Sequence, residues 1–265
     1  MTTADDITPS GSILAISVGN TNTALAACID GEPVHRVTMP NTSLDAIAKA
    51  ATSAAEEHAT DIAVLATVNR TVSGDLVHAL QATPDLQVLQ IGVDLGIPLK
   101  HTLDDDAILG TGQDRLLSAV AAFRIARQAC VVVDAGTAVT VDFVDGEGTF
   151  HGGAIAPGVR MSLRALHDHT DALPDVEFAA PDAEIPYARN TREAMIHGVF
   201  YGTRGLVRQL AERYAIAYDA YPTIIATGGD AQALFEGEEL IERIVPDLTL
   251  RGIALAYTAA VEADA

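Results

Sequence analysis

The sequence predicts an α/β fold, in which short buried strands alternate with longer helices. Apolar runs of strand length end at Gly, Asn or Asp turns, and the longer segments between them have apolar residues at helical spacing. A strand–turn–strand pattern that begins near residue 13 recurs near residue 130, which suggests an internal duplication. Because 265 residues suit two modest domains, we predict one domain over 1–125 and a second over 126–265.

Five strands and three helices are predicted as far as Ala129. The strands are Ile13–Val18, Thr23–Ile29, Val34–Met39, Ile62–Thr67 and Leu86–Ile91. The helices are Leu44–His58, Gly74–Ala82 and Arg115–Ala129. Gly19-Asn20-Thr21-Asn22 has the composition of a turn between the first two strands, and Asp30-Gly31 is a hairpin signal after the second.

The same order of elements restarts after residue 129. Its strands are Cys130–Val133, Val139–Val144, a segment from Thr149, and Ile224–Ala226. Its helices are Val159–His167, Thr191–Tyr214 and a segment from Ala231. Asp134-x-Gly136-Thr137 follows its strand as Ser17-x-Gly19-x-Thr21 follows the first strand of the chain, so the two turns occupy equivalent places in the predicted duplication.

The charge balance restricts the partners of the chain. Thirty-six acidic residues oppose 16 basic ones, and the formal net charge is −20. A nucleic-acid backbone or an anionic membrane surface would repel such a chain, so we expect neither as a partner. Lys49 and Lys100 are the only lysines, so phosphate binding cannot depend on a Gly-rich loop that ends in Lys.

Cysteine usage and hydropathy predict a soluble cytoplasmic protein. Cys28 and Cys130 both lie in apolar runs, which is typical of buried, reduced thiols. The first twelve residues have no basic start and no apolar core, so we expect no signal peptide. No apolar stretch reaches the length of a membrane span.

Two turns have the composition of a phosphate-binding site. Phosphate needs inward-pointing backbone N–H groups, no Cβ where its oxygens approach, and nearby hydroxyl groups. The first turn offers Gly19, Thr21 and Thr23, and the second offers Gly136, Thr137 and Thr140. Either turn alone could be an ordinary hairpin, but the pair favours nucleotide binding. Thr227-Gly228-Gly229 adds a strand-to-helix turn of small residues, against which a nucleotide base could lie.

Five motifs in order resemble those of type III pantothenate kinases. Ile16–Thr23 resembles their first phosphate motif, and Gly112-Gln113-Asp114-Arg115 resembles their substrate-binding Gly-x-Asp-Arg. The other three motifs are the second phosphate motif, Asp134–Thr140 followed by Gly152–Gly158, and two later blocks, Asn190-Thr191 and Thr227–Gly229. The similarity runs from about Ile13 to Tyr257, which is nearly the whole chain.

This resemblance implies a fold and an activity. The fold would be two RNase-H-like domains of the actin, Hsc70 and sugar-kinase superfamily, with nucleotide in the cleft between them. The activity would be ATP-dependent phosphorylation of pantothenate at its primary hydroxyl, the first committed step towards coenzyme A. Members of the family use Mg²⁺, need a monovalent cation such as K⁺ or NH₄⁺, and are homodimers.

The resemblance also implies residue roles. Asp114 would be the catalytic base, Arg115 would pair with the pantothenate carboxylate, and Asp134 would bind the monovalent cation. The expected substrate-binding residues are Gly112, Gln113, Asp114, Arg115 and Thr191. The expected nucleotide-binding residues are Ser17, Val18, Gly19, Asn20, Thr21, Asn22, Thr23, Ala24, Gly136, Thr137, Gly228 and Gly229. Two alternatives need no ligand: Asp114 and Arg115 could be a surface pair that caps a helix, and Thr191 could cap the helix that contains Glu193.

The chain departs from the family pattern at two places. Ser17 stands where the family has an Asp that helps to manage Mg²⁺, and a hydroxyl can bind Mg²⁺ but carries no charge. The stretch before Gly112 has the acidic run Asp104-Asp105-Asp106, which we expect to be a solvated loop, and it lacks the tyrosine often found there. The hypothesis is a pantothenate kinase with altered metal handling. The alternatives are a non-catalytic nucleotide-binding regulator and a superfamily enzyme with another acceptor.

Overall fold

A computed structural model describes residues 11–264. The strands are β1 Ser12–Val18, β2 Asn22–Ile29, β3 Glu32–Pro40, β4 Ile62–Thr67, β5 Gln87–Gln90, β6 Lys100–His101, β7 Cys130–Ala135, β8 Ala138–Val144, β9 Thr149–Pro157, β10 Thr223–Thr227 and β11 Arg243–Ile244. The helices are α1 Leu44–Glu57, α2 Arg70–Gln81, α3 Asp105–Gly110, α4 Gln113–Ala126, α5 Val159–Asp168, α6 Thr191–Tyr218, α7 Ala231–Phe235 and α8 Leu248–Asp264. The expected α/β fold is confirmed.

The chain divides into two compact units. The first runs to Arg127 and also contains Gly146–Phe150 and the segment from Asp247 onward. The second contains Gln128–Asp145 and His151–Pro246. This division differs from an uninterrupted domain over 126–265, because the C-terminal helix α8 packs on β1, β2 and α4 of the first unit.

The first unit is built on a five-stranded sheet in the order β3-β2-β1-β4-β5. β1 pairs antiparallel with β2 and parallel with β4. Alternate residues of β1 point to opposite faces, and both faces are buried. Leu14, Ile16 and Val18 pack with side chains of α1 and α2, whereas Ile13 and Ala15 pack with side chains of α4 and α8. This central strand is therefore held from both sides, which fixes the position of the turn that follows it.

Five strands of the second sheet repeat this order as β9-β8-β7-β10-β11, so that β9 corresponds to β3 and β11 to β5. Its central strand β7 pairs antiparallel with β8 and parallel with β10, as β1 does with β2 and β4. Val131 and Val133 of β7 pack in a core with residues of α6 and α7, including Phe200 and Leu234. The duplication expected from the two strand–turn–strand patterns is therefore present in the topology of the sheets.

Several elements differ from the sequence expectation. α2 begins at Arg70 instead of Gly74, because the Asn69 side chain accepts a hydrogen bond from Val72 N–H at 3.3 Å and caps the helix earlier. The segment from Ala231 forms only a short helix that ends at Phe235. Asp104–Asp106 is exposed, as expected, but it is not a loop. Asp104 accepts a hydrogen bond from Ala107 N–H at 2.8 Å and starts α3.

The two cysteines are free and buried, as expected. Burial raises the pKa of Cys28 and of Cys130 to about 12, so neither thiol ionises near neutral pH. No helix within residues 11–264 is both long and apolar enough to cross a membrane. Residues 1–10, which carry most of the expectation about a signal peptide, lie outside the described part of the chain.

Candidate active site

The first candidate turn joins β1 to β2. The antiparallel register ends at the pair Val18 and Thr23, and Gly19 N–H closes the turn by donating to the Asn22 carbonyl at 2.9 Å. A Cβ on Gly19 would lie 2.9 Å from the same oxygen, so the closure requires glycine. Asn20, Thr21 and Asn22 are exposed, whereas Ser17 is half-buried. The turn therefore presents polar groups to solvent on a rigid base.

Asn41 holds this turn from the end of β3, a role that the sequence did not indicate. Its side-chain amide donates to the Gly19 carbonyl at 2.8 Å, and its side-chain oxygen accepts from the fully buried Thr23 hydroxyl at 2.8 Å. Its backbone N–H donates to the Thr21 carbonyl at 2.9 Å. Thr23 is thus a structural anchor of the turn. Pro40-Asn41 reads as a turn signal, but no local pattern connects Asn41 to residues about twenty positions earlier.

Gln113 anchors the start of α4, in the first unit. Its side-chain oxygen accepts from Thr67 N–H at 3.0 Å, and its side-chain nitrogen donates to the Ile91 carbonyl at 2.8 Å. Gly92 has φ +81°, and a Cβ there would lie 2.7 Å from the Gln113 nitrogen. The amide of Gln113 therefore fixes α4 to the ends of β4 and β5, and its expected contact with substrate stays a prediction.

Asp114 and Arg115 occupy the first turn of α4, and both are half-buried. One oxygen of Asp114 accepts from Arg115 N–H at 2.8 Å. A Cβ on Gly112 would lie 2.5 Å from that oxygen, so glycine at the helix start leaves room for the carboxylate. The Arg115 guanidinium carbon lies 5.9 Å from the ring centroid of the fully buried Phe150. The helix start therefore positions the Asp114 carboxylate, and the Arg115 guanidinium lies near an aromatic ring.

The second candidate turn joins β7 to β8. Asp134 pairs with Thr140, Ala135 pairs with Val139, and Gly136 N–H donates to the Ala138 carbonyl at 3.0 Å. Thr137 is exposed, and Asp134 is half-buried. As in the first turn, a glycine closes the hairpin and a threonine beside it faces solvent.

Two more glycines pack against the second turn. Gly158 N–H donates to the Thr137 carbonyl at 3.1 Å, and a Cβ on Gly158 would collide with the Gly136 carbonyl. Gly228 has φ +96°, and a Cβ there would collide with the Ala135 carbonyl and lie 2.5 Å from the Asp134 carboxylate. The second unit therefore brings Asp134, Thr137 and the Gly228-Gly229 turn together, and their expected contacts with nucleotide and cation stay predictions.

Asp230 and Arg160 form an ion pair beside this cluster that the sequence analysis missed. Asp230 N–H donates to the Ala135 carbonyl at 2.9 Å, and its carboxylate accepts from the Arg160 guanidinium at 2.7 Å. The Asp230 side chain is only 8% exposed, whereas that of Arg160 is 66% exposed. The pair connects the turn after β10 to the first turn of α5. The only sequence signal for this role is that Asp230 directly follows Gly228-Gly229.

Thr191 is the first residue of α6, and the expectation that it could cap that helix is wrong. The cap is Asn190, whose side-chain oxygen accepts from Glu193 N–H at 2.9 Å. The Glu193 carboxylate accepts from Arg189 N–H and from the Asn190 side chain, both at 2.8 Å, so Asn190 and Glu193 together cap the start of α6. The Arg189 N–H hydrogen bond lowers the pKa of Glu193. Thr191 itself is exposed.

Two sheets that share a strand order, each with a glycine–threonine turn after its central strand, define a duplicated α/β fold. Three solved structures share this fold at low sequence identity. A conserved Baf family protein from Campylobacter jejuni aligns with TM-score 0.60 and 19% identity over 94% of this chain and 99% of its own. The activator of 2-hydroxyisocaproyl-CoA dehydratase from Clostridium difficile aligns with TM-score 0.55 and 13% identity over 96% and 97%. A ROK family glucokinase from Streptomyces griseus aligns with TM-score 0.52 and 14% identity over 93% and 99%.

The chain belongs to the type III pantothenate kinase family, whose family model matches residues 13–213. The type III pantothenate kinase of Syntrophotalea carbinolica is 37% identical over 63% of this chain and 63% of its own length. The chain thus aligns with somewhat less than two thirds of that relative. The type III pantothenate kinase of Ruegeria pomeroyi is 35% identical over 92% of this chain and 96% of its own length.

Proposed function

We propose that this protein transfers the γ-phosphoryl group of ATP to the primary hydroxyl of pantothenate, the first committed step towards coenzyme A. One observation carries the proposal: a chain of the type III pantothenate kinase family holds Asp114 and Arg115 side by side in the first turn of α4. A carboxylate and a guanidinium in this arrangement suit an acceptor that has both a hydroxyl and a carboxylate group.

Asp114 is the proposed general base. Its carboxylate hydrogen-bonds to Arg115 N–H, which restricts its rotamer and leaves it able to accept the proton of the substrate hydroxyl. As that proton passes to Asp114, the hydroxyl oxygen bonds to the γ-phosphorus and the bond to ADP breaks. Phosphoryl transfer asks the protein mainly for position and charge compensation, so a fixed carboxylate is the main requirement.

Arg115 and Thr191 are the proposed substrate-binding partners of Asp114. The Arg115 guanidinium, whose carbon lies 5.9 Å from the Phe150 ring centroid, suits a paired hydrogen bond to the pantothenate carboxylate. The exposed hydroxyl of Thr191 is a further hydrogen-bonding group for substrate. Gly112 contributes by leaving room for the Asp114 carboxylate.

The nucleotide is proposed to bind at the glycine turns. The turn of Ser17–Ala24 and the turn of Gly136-Thr137 offer exposed hydroxyl and backbone groups to phosphate oxygens. Gly228 and Gly229 offer backbone without side chain to the nucleoside, as small residues at such a strand-to-helix turn allow. Asn41, Gly158 and Asp230 hold these turns in place without being expected to contact ATP.

The residues present fit the cations that the family uses. The Asp134 carboxylate supplies oxygen ligands of the kind that these cations prefer, and it lies against Gly136 and Gly228, where a Cβ would lie 3.5 Å and 2.5 Å from its oxygen. We propose that Asp134 binds a monovalent cation, K⁺ or NH₄⁺, and that the Ser17 hydroxyl lies near the Mg²⁺ of the nucleotide. When bound, these cations would neutralise phosphate charge.

The kinase proposal is tested with purified protein, ATP and pantothenate, by mass spectrometry of the phosphorylated product and by ADP release. Asp114→Asn should lower kcat about 10²- to 10⁴-fold, the usual contribution of a general base. Asp106→Asn, which changes an exposed acid on α3, is the matched control and should leave kcat unchanged. Absence of product with wild-type protein at every Mg²⁺ and K⁺ concentration would contradict the proposal, and so would full activity of Asp114→Asn.

We also propose a homodimer formed through α5 and α6. Met161 and Leu166 on α5 and Tyr201 on α6 are exposed, and α5 packs on α6. A Cβ on Gly202 of α6 would meet open space, so a second copy could approach the helix closely there. Gly202→Arg should give monomers in light scattering, whereas Gly74→Arg, at an equally open helical glycine of α2, should not. Dimers in both variants, or monomers in the wild type, would contradict this interface.

We place the protein in the cytoplasm. Cys28 and Cys130 are both free and buried, which is typical of a protein in a reducing compartment, where thiols persist. Cell fractionation of the tagged native protein checks this location, and recovery with the membrane or extracellular fraction would contradict it.

A further inference from the structure

Two histidines and a glutamate converge on the surface of the first unit, at a place that the proposed kinase reaction does not use. His35 lies on β3, Glu57 is the last residue of α1, and His58 is the C-cap residue of that helix. One ligand atom from each of the three lies within 4.8 Å of the others. We propose that this cluster binds a divalent cation of the zinc class.

Local backbone structure directs His35 into the cluster. The β2–β3 register shifts by one residue between Leu25 and Ala27, where His35 and Arg36 of β3 lie opposite Ala26 alone, as in a β-bulge. His35 has φ +50°, in the left-handed region that few residues other than glycine adopt. Bulges re-aim side chains, and here the bulge turns an imidazole towards the end of α1.

The distance between the two imidazoles already suits a shared metal ion. His35 Nδ1 and His58 Nε2 are 3.2 Å apart, and the rings are stacked with centroids 5.1 Å apart. Two nitrogens at about 2.0–2.1 Å from one tetrahedral ion are about 3.3 Å apart. The present hydrogen bond between the rings therefore already has the nitrogen separation of a shared ion, and rotation of the two rings would let an ion replace the shared proton. Glu57 is exposed and can approach by rotation of its side chain.

The donor set selects the class of metal. Two imidazoles and one carboxylate are typical ligands of Zn²⁺, Ni²⁺ and Cu²⁺, whereas Mg²⁺ prefers oxygen ligands in octahedral geometry. The site is distinct from Asp134 and Ser17 in residues and in chemistry. Because His35 and His58 belong to different elements, a bound ion would link β3 to the end of α1 and stabilise the first unit.

The test is calorimetric titration of the tag-free protein with Zn²⁺ and, separately, with Mg²⁺, without nucleotide. His35→Asn keeps a residue that tolerates positive φ, and His58→Gln removes the second imidazole. Each should weaken Zn²⁺ binding at least about tenfold and abolish the rise in unfolding temperature on Zn²⁺ addition. His78→Gln, which removes an exposed histidine of α2, is the matched control and should bind Zn²⁺ as the wild type does.

A spectroscopic measurement gives an independent result. Cu²⁺ added to the wild type should show electron paramagnetic resonance couplings from two imidazole nitrogens, and each histidine variant should lose one of them. The proposal is overturned if the wild type takes up no Zn²⁺, or if both histidine variants bind Zn²⁺ with the affinity of His78→Gln. Neither result depends on kinase activity, so the metal site and the proposed function can fail separately.

Discussion

The turn after β1 and the turn after β7 follow the central strands of two sheets with the same strand order, but different groups hold them. In the first turn, the side chain of Asn41 bonds to Gly19 and Thr23. In the second turn, Gly158 and Gly228 pack their backbones directly against it. The first turn thus depends on a side-chain amide, and the second on the absence of side chains.

The two turns also differ in charge. Two residues before the glycine, the first turn has Ser17 and the second has Asp134. Both side chains are half-buried at the end of a central strand, so the difference is in chemistry more than in exposure. The comparison shows that the same topology can hold either a neutral hydroxyl or a carboxylate at this position. Each of the following substitutions tests one part of this difference.

The largest effect is expected from Gly228→Ala in the second turn. The new Cβ would collide with the Ala135 carbonyl, and alanine disfavours φ +96°. Steric overlap and backbone strain together should lower the free energy of unfolding by about 3 kcal/mol. Urea denaturation measures this, and Gly229→Ala is the control, because a Cβ on Gly229 would meet open space. Equal stability of the two variants would show that the backbone packing does not hold this turn.

Asn41→Ala should have the next largest effect, in the first turn. The substitution leaves the buried Thr23 hydroxyl without its acceptor and the Gly19 carbonyl without this donor. An unsatisfied buried polar group costs about 1–3 kcal/mol, so the free energy of unfolding should fall by that amount. A double-mutant cycle with Thr23→Val measures the coupling between the two side chains. Additive effects of the two substitutions would contradict the anchoring role of Asn41.

Ser17→Asp makes the first turn resemble the second in charge. An added carboxylate near the nucleotide phosphates should bind Mg²⁺ more strongly and lower the Mg²⁺ concentration for half-maximal kinase activity roughly tenfold, or about 1.4 kcal/mol. Initial rates across a Mg²⁺ series measure this. Ser17→Asn introduces a side chain of the same size as Asp but without its charge, so this variant should keep the Mg²⁺ dependence of the wild type. A Mg²⁺ dependence that is the same in Ser17→Asp as in the wild type would show that residue 17 does not handle the metal.

The sequence was sufficient to predict the local parts of the fold and of the candidate site. β1, β2 and β7 lie within one or two residues of their predicted bounds, because apolar runs and glycine turns are local signals. α8 was missed, since its apolar residues Leu250 and Ile253 are explained only by packing on β1 and α4. Asn41 and Asp230 were also missed, because each acts on residues far away in the chain. The short β6 and β11 depend on their partner strands and have no pattern of their own.

The smallest effect is expected at the helix starts that carry the candidate substrate residues. α4 starts at Gly112, which has no side chain to cap it, whereas the start of α6 is capped by the side chains of Asn190 and Glu193. The lowered pKa of Glu193 means that its carboxylate stabilises the fold above its unfolded pKa, and that this stability is lost as pH falls through the folded value. Glu193→Gln should therefore lower the urea midpoint slightly at neutral pH, and the difference from wild type should vanish in acid. Glu212→Gln, at an exposed acid of the same helix, should show no such pH dependence. A constant difference at all pH values would mean that Glu193 acts on α6 through its shape and not through its charge.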